Sequence, residues 1–141
     1  MTVLLVEDNP AEARLTQEAL RASGLRHDLQ VVTDGQMASD YLNRVNGYAA
    51  ADPPCLVLLD LNLPKKTGQE LLREIKSDPR LRGIPVIILS NSQSADDINE
   101  CYRLRANSYL TKPAELDELF SKVRALVEFW FRSAHLPDNP E

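Results

Sequence analysis

Short aliphatic runs that alternate with stretches of helical periodicity constrain the fold of this chain more than any other feature of its sequence. Five runs predict strands, at residues 2–6, 29–33, 56–59, 86–89 and 108–110. Two of them, 56–59 and 86–89, consist only of Val, Leu and Ile. Strands that are apolar on both faces are typical of a parallel sheet covered by helices on both sides.

Helix start signals lie in the intervals between these strands. The segment 9–12 offers an Asn N-cap, a proline in the first turn and a glutamate to complete the cap, and the segment 67–70 is a capping box. Asp34 and Ser94 open two further helices, and the last helix begins at about Glu115. The sequence therefore predicts five helices.

Apolar spacing predicts the buried faces of these helices. In the second helix the inner face contains Ala38, Tyr41, Leu42 and Val45. In the last helix the stripe contains Leu116, Leu119, Phe120, Val123, Leu126, Val127 and Trp130. Phe129 and Phe131 flank Trp130 and cannot share its face of an α-helix, so we expect them either to form a homodimer contact or to fold back onto their own domain, under the loop that carries Tyr48.

Five strands that alternate with five helices predict a doubly wound α/β domain of the flavodoxin-like type. Because crossovers between parallel strands are right-handed, the favoured strand order is 2-1-3-4-5. We expect this domain to span residues 1–133 and to be followed by a short tail, 134–141.

Polar side chains stand directly after four of the five predicted strands. Glu7 and Asp8 follow the first strand, Asp60 the third, Ser90 the fourth and Lys112 the fifth. Ligands bind beyond the carboxyl ends of the strands in open parallel sheets, so we expect these side chains to meet at one edge. Singly, each residue is more often a turn former, helix cap or surface residue, but their joint placement is specific.

This set of residues is suited to phosphoryl transfer. Three crowded carboxylates raise one another's pKa unless a cation intervenes, and an all-oxygen donor set favours a hard ion such as Mg²⁺ or Mn²⁺. A lysine adds a second positive charge, a serine hydroxyl donates a hydrogen bond, and one carboxylate acts as the nucleophile.

At this point the sequence resembles the receiver domains of two-component response regulators. The resemblance is carried by Val6-Glu7-Asp8-Asn9, by the segment 58–64 followed by Gly68, by Ile88-Leu89-Ser90 and by Tyr109-Leu110-Thr111-Lys112-Pro113. It implies a protein of phosphorelay signalling that takes a phosphoryl group from a sensor histidine kinase, promotes its own phosphorylation and dephosphorylation, and is otherwise no enzyme.

The resemblance also assigns a role to each site residue. The assignments are Asp60 as phosphoacceptor, Glu7 and Asp8 with Asp60 as metal ligands, Asn62 as a further ligand through its backbone carbonyl, and Ser90 and Lys112 as contacts of the phosphoryl group. Ser90 and Tyr109 would form the switch that responds to phosphorylation. The Lys112-Pro113 peptide bond is expected to be cis and to aim the lysine inward.

Two residues depart from the usual pattern of the family. Glu7 stands where Asp is more common, which changes reach but not charge. Asn91 follows Ser90 where a small residue is more common, which bears on how easily a phosphoryl group enters the site.

Thr67 is best interpreted as a helix cap.

Three segments, 61–66, 46–54 and 129–137, resemble the regulators that pair with phytochrome-type sensor kinases. The kinase partner is therefore expected to be phytochrome-like. No output domain follows in this sequence, so we expect signalling through protein contacts. We expect a homodimer formed through the fourth helix, fifth strand and fifth helix, or through the aromatic C-terminal segment.

Two alternative functions use part of the same residue set. A haloacid-dehalogenase-like phosphatase also has an aspartate nucleophile, but needs a second aspartate where this sequence has Asn62. A pseudo-receiver, which is a binding module without phosphorylation, is disfavoured by the intact Asp8, Asp60, Ser90 and Lys112. A nucleotide-binding domain is disfavoured because neither G-x-G-x-x-G nor a P-loop follows the first strand.

The net charge and the hydropathy of the sequence disfavour other classes of protein, namely nucleic-acid-binding, secreted and membrane proteins. A formal net charge of −5 disfavours nucleic-acid binding, which needs a basic surface. The first residues lack the basic start of a signal peptide, and no apolar run is long enough to cross a bilayer. We therefore expect a cytoplasmic protein with no membrane contact.

Overall fold

The computed structural model describes residues 1–137 and contains a parallel sheet in the order β2-β1-β3-β4-β5. This order confirms the predicted topology. The strands are β1 (Thr2–Val6), β2 (Asp28–Val32), β3 (Pro54–Leu59), β4 (Val86–Ser90) and β5 (Ser108–Thr111). Each observed strand lies within two residues of its prediction at either end.

Five α-helices within residues 1–137 connect and cover the strands, as predicted. They are α1 (Pro10–Ala22), α2 (Gly35–Asn43), α3 (Gly68–Ser77), α4 (Ala95–Arg103) and α5 (Leu116–Val127). The cap of α3 is the predicted capping box, in which the Thr67 hydroxyl accepts from the Glu70 N–H and the Glu70 carboxylate accepts from the Thr67 N–H. No helix among residues 1–137 is long and apolar enough to span a membrane.

Two hydrophobic clusters cover the two faces of the sheet. One packs α2, α3 and Cys101 of α4 against Leu4, Val57 and Ile88. The other packs α1 and α5 against Val3 and Leu58. Because β1, β3 and β4 are buried on both faces, their carboxyl ends are held in one fixed arrangement.

The second helix ends earlier than its apolar pattern suggests. Arg44 adopts a left-handed conformation and caps α2, so Val45 lies outside the helix and is exposed, contrary to the expectation that it faces the core. The following loop is held by packing of Tyr48 on Tyr41, with ring centroids 5.3 Å apart, and by a hydrogen bond from the Tyr41 hydroxyl to the Asp52 carbonyl.

The end of the chain also differs from a simple amphipathic α-helix. Leu116, in the first turn of α5, is exposed rather than part of the buried stripe. After α5 the chain widens into one π-helical segment, Glu128–Ser133. This wider turn lets Phe131 pack on the same cluster as Trp130, which corrects the expectation that the two cannot share a face.

Of the two flanking aromatic residues, only Phe129 stays exposed. Phe131 folds back onto its own domain and stacks on His27, with centroids 4.6 Å apart, rather than lying under the Tyr48 loop. Phe129 is 55% exposed and meets the Trp130 ring edge to face. The segment 134–137 adds Leu136 to the same cluster, and the rest of the expected tail, 138–141, lies outside the described residues.

Candidate functional site

Three carboxylates meet at the carboxyl edge of the sheet, as predicted from their positions after the strands. Glu7 and Asp8 follow β1, and Asp60 follows β3. One oxygen from each lies within 4.8 Å of the others. Glu7 and Asp60 are buried and Asp8 is exposed, so the cluster opens towards solvent on the side of Asp8.

Asp60 is held in place by backbone hydrogen bonds. Its Oδ1 accepts from the N–H groups of Leu61, at 2.7 Å, and Asn62, at 3.4 Å. A Cβ atom on Gly68 would lie 2.4 Å from the Asp60 carbonyl oxygen, so only glycine lets α3 begin this close to the end of β3. One oxygen of Asp60 is thus fixed, while Oδ2 faces the other charged groups.

Lys112 reaches into the cluster from the end of β5. Its ammonium group pairs with Glu7, with Asp60 Oδ2 at 3.1 Å and with Glu12 at 3.0 Å. Burial alone would lower the pKa of Lys112, but the three carboxylates outweigh burial and raise it above its ordinary value. The lysine is therefore a fixed positive charge beside Asp60.

The expected cis bond between Lys112 and Pro113 is absent, because every peptide bond among residues 1–137 is trans. The inward placement of the ammonium group does not need the cis isomer here. The Lys112 N–H donates to the Ser90 carbonyl at 2.7 Å, which extends the β4–β5 pairing to the lysine, and the side chain reaches the carboxylates from that position.

The charges of the cluster fit a divalent metal ion. Burial raises the pKa of Glu7 from its ordinary value of 4.5 to about 7, and the contact with Lys112 opposes only part of that shift. One ammonium group thus does not compensate the carboxylates that surround it. An all-oxygen donor set with excess negative charge is the kind of site that binds hard divalent ions.

Ser90 and Tyr109 are connected through the loop after β4. Ser90 is fully buried and its Oγ accepts from the Ser92 N–H at 3.1 Å. The Tyr109 hydroxyl donates to the Ser92 carbonyl at 2.8 Å, and the Tyr109 N–H donates to the hydroxyl of Tyr102. The same loop therefore contacts both residues that were predicted to form a switch.

Sequence reasoning missed the role of Glu12. The predicted cap is only half right, because Asn9 does accept from the Glu12 N–H but the Asn9 N–H donates to Glu7. The Glu12 carboxylate instead bridges Lys112 and the side-chain amide of Asn91, which donates at 3.1 Å. The contact with Lys112 could have been suspected from the sequence, because Glu12 lies in the first turn of α1, beside the carboxyl edge of the sheet.

The sequence matches the family model of the response regulator receiver domain over residues 3–124. Among known proteins, it is 44% identical over 135 residues to Response regulator Rcp1 of Synechocystis, covering 96% of this chain and 92% of the relative.

Solved structures of similar proteins agree in fold over nearly the whole chain. The phosphorylated cyanobacterial phytochrome response regulator RcpA matches with a TM-score of 0.93 and 51% identity, covering 97% of this chain and 98% of RcpA. The Mn²⁺-bound form of Rcp1 matches with a TM-score of 0.91 and 44% identity, covering 96% of this chain and 98% of Rcp1.

Proposed function

This chain belongs to the response regulator receiver family, and from that membership we propose that Asp60 accepts a phosphoryl group from a sensor histidine kinase. The observation that carries the proposal is the pairing of Asp60 Oδ2 with Lys112 beside Glu7 and Asp8. A nucleophile, a fixed positive charge and a metal-binding carboxylate pair thus stand together, which is what phosphoryl transfer requires.

In this reaction the carboxylate of Asp60 attacks the phosphorus atom through Oδ2. A P–O bond forms to Asp60, the P–N bond to the kinase histidine breaks, and the histidine nitrogen regains a proton. Oδ1 keeps its hydrogen bonds to Leu61 and Asn62, so the attacking oxygen stays oriented. Lys112 and the Ser90 hydroxyl bind the phosphoryl oxygens, and hydrolysis by water later restores the carboxylate.

A Mg²⁺ or Mn²⁺ ion completes the site in this proposal, held by Glu7, Asp8, Asp60 and the backbone carbonyl of Asn62. When bound, it neutralises charge on the phosphoryl oxygens. The Mn²⁺-bound structure of Rcp1 supports the choice of ion for a related protein. Glu7 has the same charge as the more usual aspartate and reaches the cluster from β1.

Ser90 and Tyr109 transmit the change. When the Ser90 hydroxyl moves to a phosphoryl oxygen, it leaves the Ser92 N–H, and the loop that also holds the Tyr109 hydroxyl is released. Tyr109 then moves towards Ser90, and the surface of α4, β5 and α5 changes. The charge of the phosphoryl group thereby favours one of two arrangements of Tyr109 and the loop after β4.

The proposed partner is a phytochrome-type sensor kinase, because RcpA and other similar structures are phytochrome response regulators. We also propose a homodimer through the α4-β5-α5 face or the aromatic C-terminal segment. Phe129 supports it, because this large aromatic side chain is 55% exposed beside Trp130 and an interface would remove its apolar surface from water.

Neither alternative function has a comparable observation in its favour. The phosphatase needs a general acid two residues after the nucleophile, and Asn62 there contacts Asp60 through its backbone N–H. A pseudo-receiver would have no need of the buried Lys112 beside Asp60.

Intact-mass spectrometry after incubation with acetyl phosphate tests the proposal. We expect wild-type protein to gain one phosphoryl group when Mg²⁺ is present and none when it is chelated. Asp60→Asn keeps the size of the side chain but removes the nucleophile, so it is expected to gain none. Equal labelling of the variant, or no labelling of wild type by either acetyl phosphate or a phosphorylated phytochrome-type kinase, contradicts the proposal.

A further inference from the structure

Every N–H donor of the Lys112 ammonium group is already in use. An ammonium group has three donors, and here they are directed to Glu7, Glu12 and Asp60. An incoming phosphoryl group also needs this lysine. One of the three carboxylates must therefore give up its contact before the phosphoryl group can be bound.

Exposure indicates which carboxylate is replaced. The side chain of Glu12 is 33% exposed, against 3% for Glu7 and 8% for Asp60. Asp60 is the acceptor itself, and Glu7 also accepts from the Asn9 N–H at 3.2 Å. Glu12 lies at the solvent side of the lysine, and water can hydrate its carboxylate when it leaves.

A second contact holds Glu12 over the site. The same oxygen that pairs with Lys112 accepts from the Asn91 side-chain amide, so one carboxylate bridges the start of α1 and the loop after β4. Asn91 directly follows Ser90, which contacts the phosphoryl group in the proposed function. Because β1 and β4 flank β3 in the sheet, this bridge joins segments that lie on the two sides of Asp60.

We infer that Glu12 is an intramolecular competitor for Lys112, held in place by Asn91, that an incoming phosphoryl group must displace. This inference rests on the proposed function of Asp60. Glu12 contacts neither the acceptor nor its backbone, so it acts as a positioning residue through Lys112. Its negative charge opposes the approach of an anionic donor to Lys112, and the Asn91 amide holds the carboxylate beside the lysine.

The competition matters most for small phosphodonors. With acetyl phosphate, a P–O bond forms to Asp60, the P–O bond to the acetyl group breaks, and acetate leaves as an anion without proton transfer. Such a donor brings no protein contacts to offset the displacement of Glu12, whereas a kinase does. The bridge therefore favours phosphorylation by a partner kinase over phosphorylation by small metabolites.

The test compares rates of phosphorylation by acetyl phosphate at saturating Mg²⁺, measured by intact mass. Glu12→Gln keeps the size of the side chain and removes its charge, and we expect it to react about three- to fivefold faster, the scale of one partly exposed ion pair. Glu18→Gln makes the same charge change on the exposed side of α1, away from Lys112, and is expected to react at the wild-type rate.

Two further measurements separate this role from a structural one. Asn91→Ala is expected to accelerate the reaction as well, and the double variant with Glu12→Gln should gain less than the product of the single effects. Glu12→Gln should also bind beryllium fluoride, a phosphoryl analogue, about three- to fivefold more tightly in calorimetry, without turnover.

The outcomes are distinguishable from those of the proposed function. Wild-type protein that is labelled on Asp60, together with unchanged rate and analogue affinity in Glu12→Gln, overturns the inference alone. Equal acceleration by Glu18→Gln also overturns it, because the effect then reflects net charge. Wild-type protein that neither is labelled nor binds the analogue overturns the proposed function, and the inference falls with it.

Discussion

At the residue scale, the burial and the pKa of each charged group at this edge of the sheet depend on the neighbouring charged groups. Lys112 is buried beside three carboxylates that compensate its charge, and burial raises the pKa of Glu7 because the contact with Lys112 opposes only part of that effect. Thr67, by contrast, makes the hydrogen bonds of a helix cap, as its sequence context predicted. The chemistry of the site belongs to the cluster and not to any one member.

His27 gives a residue-scale prediction of pH dependence. Burial chiefly lowers the pKa of His27 below its ordinary 6.5, and the N-terminal ammonium group lowers it further, while Asp28 opposes. Its Nδ1 is buried and has no hydrogen-bond partner among residues 1–137, and the ring stacks on Phe131. Arg21 and Arg132 lie nearby, and Arg21 donates to the His27 carbonyl. A proton therefore binds the unfolded chain more readily, so stability is lost as pH falls from about 6.5 through the lower pKa that His27 has in the folded protein.

The measurement is the urea midpoint of unfolding at about pH 7.5 and about pH 5.5. We expect wild-type protein to lose more stability on acidification than His27→Phe, which keeps an aromatic ring against Phe131 but cannot be protonated. An identical pH dependence of the two proteins would show that His27 does not carry this effect.

At the scale of elements, most of the fold was predictable because local signals and burial agree. The strands were found from aliphatic runs, and α3 from the capping box at Thr67. The ends of α2 and α5 were not, since a left-handed Arg44 and a π-helical turn are backbone choices that apolar spacing does not encode. Glu12 was assigned to the wrong hydrogen bond because its alternative partner, Lys112, is 100 residues away.

The α3 cap gives a prediction at this scale. Thr67→Ala removes the acceptor for the Glu70 N–H, and we expect it to lower the free energy of unfolding by about 1 kcal/mol. Thr67→Ser keeps the hydroxyl and is the matched control, with a stability close to wild type. Chemical denaturation of the three proteins measures the difference, and equal stabilities would mean that the cap contributes nothing.

At the scale of the whole molecule, the chain is a receiver domain in which the acidic cluster and the aromatic C-terminal segment lie on different surfaces. The carboxyl edge of the sheet holds the acidic cluster, while the C-terminal turn packs Phe131 and Trp130 on the α1–α5 side and leaves Phe129 exposed. The sequence predicted an unusual aromatic segment there. It predicted that Trp130 packs on the core, but it left open whether Phe129 and Phe131 do, because that depends on the π-helical turn.

Light scattering tests the proposed dimer. If the protein is a dimer to whose interface Phe129 contributes, Phe129→Ala should reduce its mass from that of a dimer towards that of a monomer while the protein remains folded. Phe131→Ala should instead lower the thermal midpoint, because it removes the stack on His27. Val45→Ala, which shortens another exposed apolar side chain, is the control. A folded Phe129→Ala dimer of unchanged mass contradicts the role of Phe129.

The most direct test of the central claim is to locate the phosphoryl group. Acetyl phosphate and Mg²⁺ are added, the acyl phosphate is reduced with borohydride, and peptide mass spectrometry finds the residue that has become homoserine. Homoserine is expected at position 60, and aspartate is expected to remain at position 8. Homoserine at position 8, or at any position other than 60, would contradict the assignment of Asp60 as the acceptor.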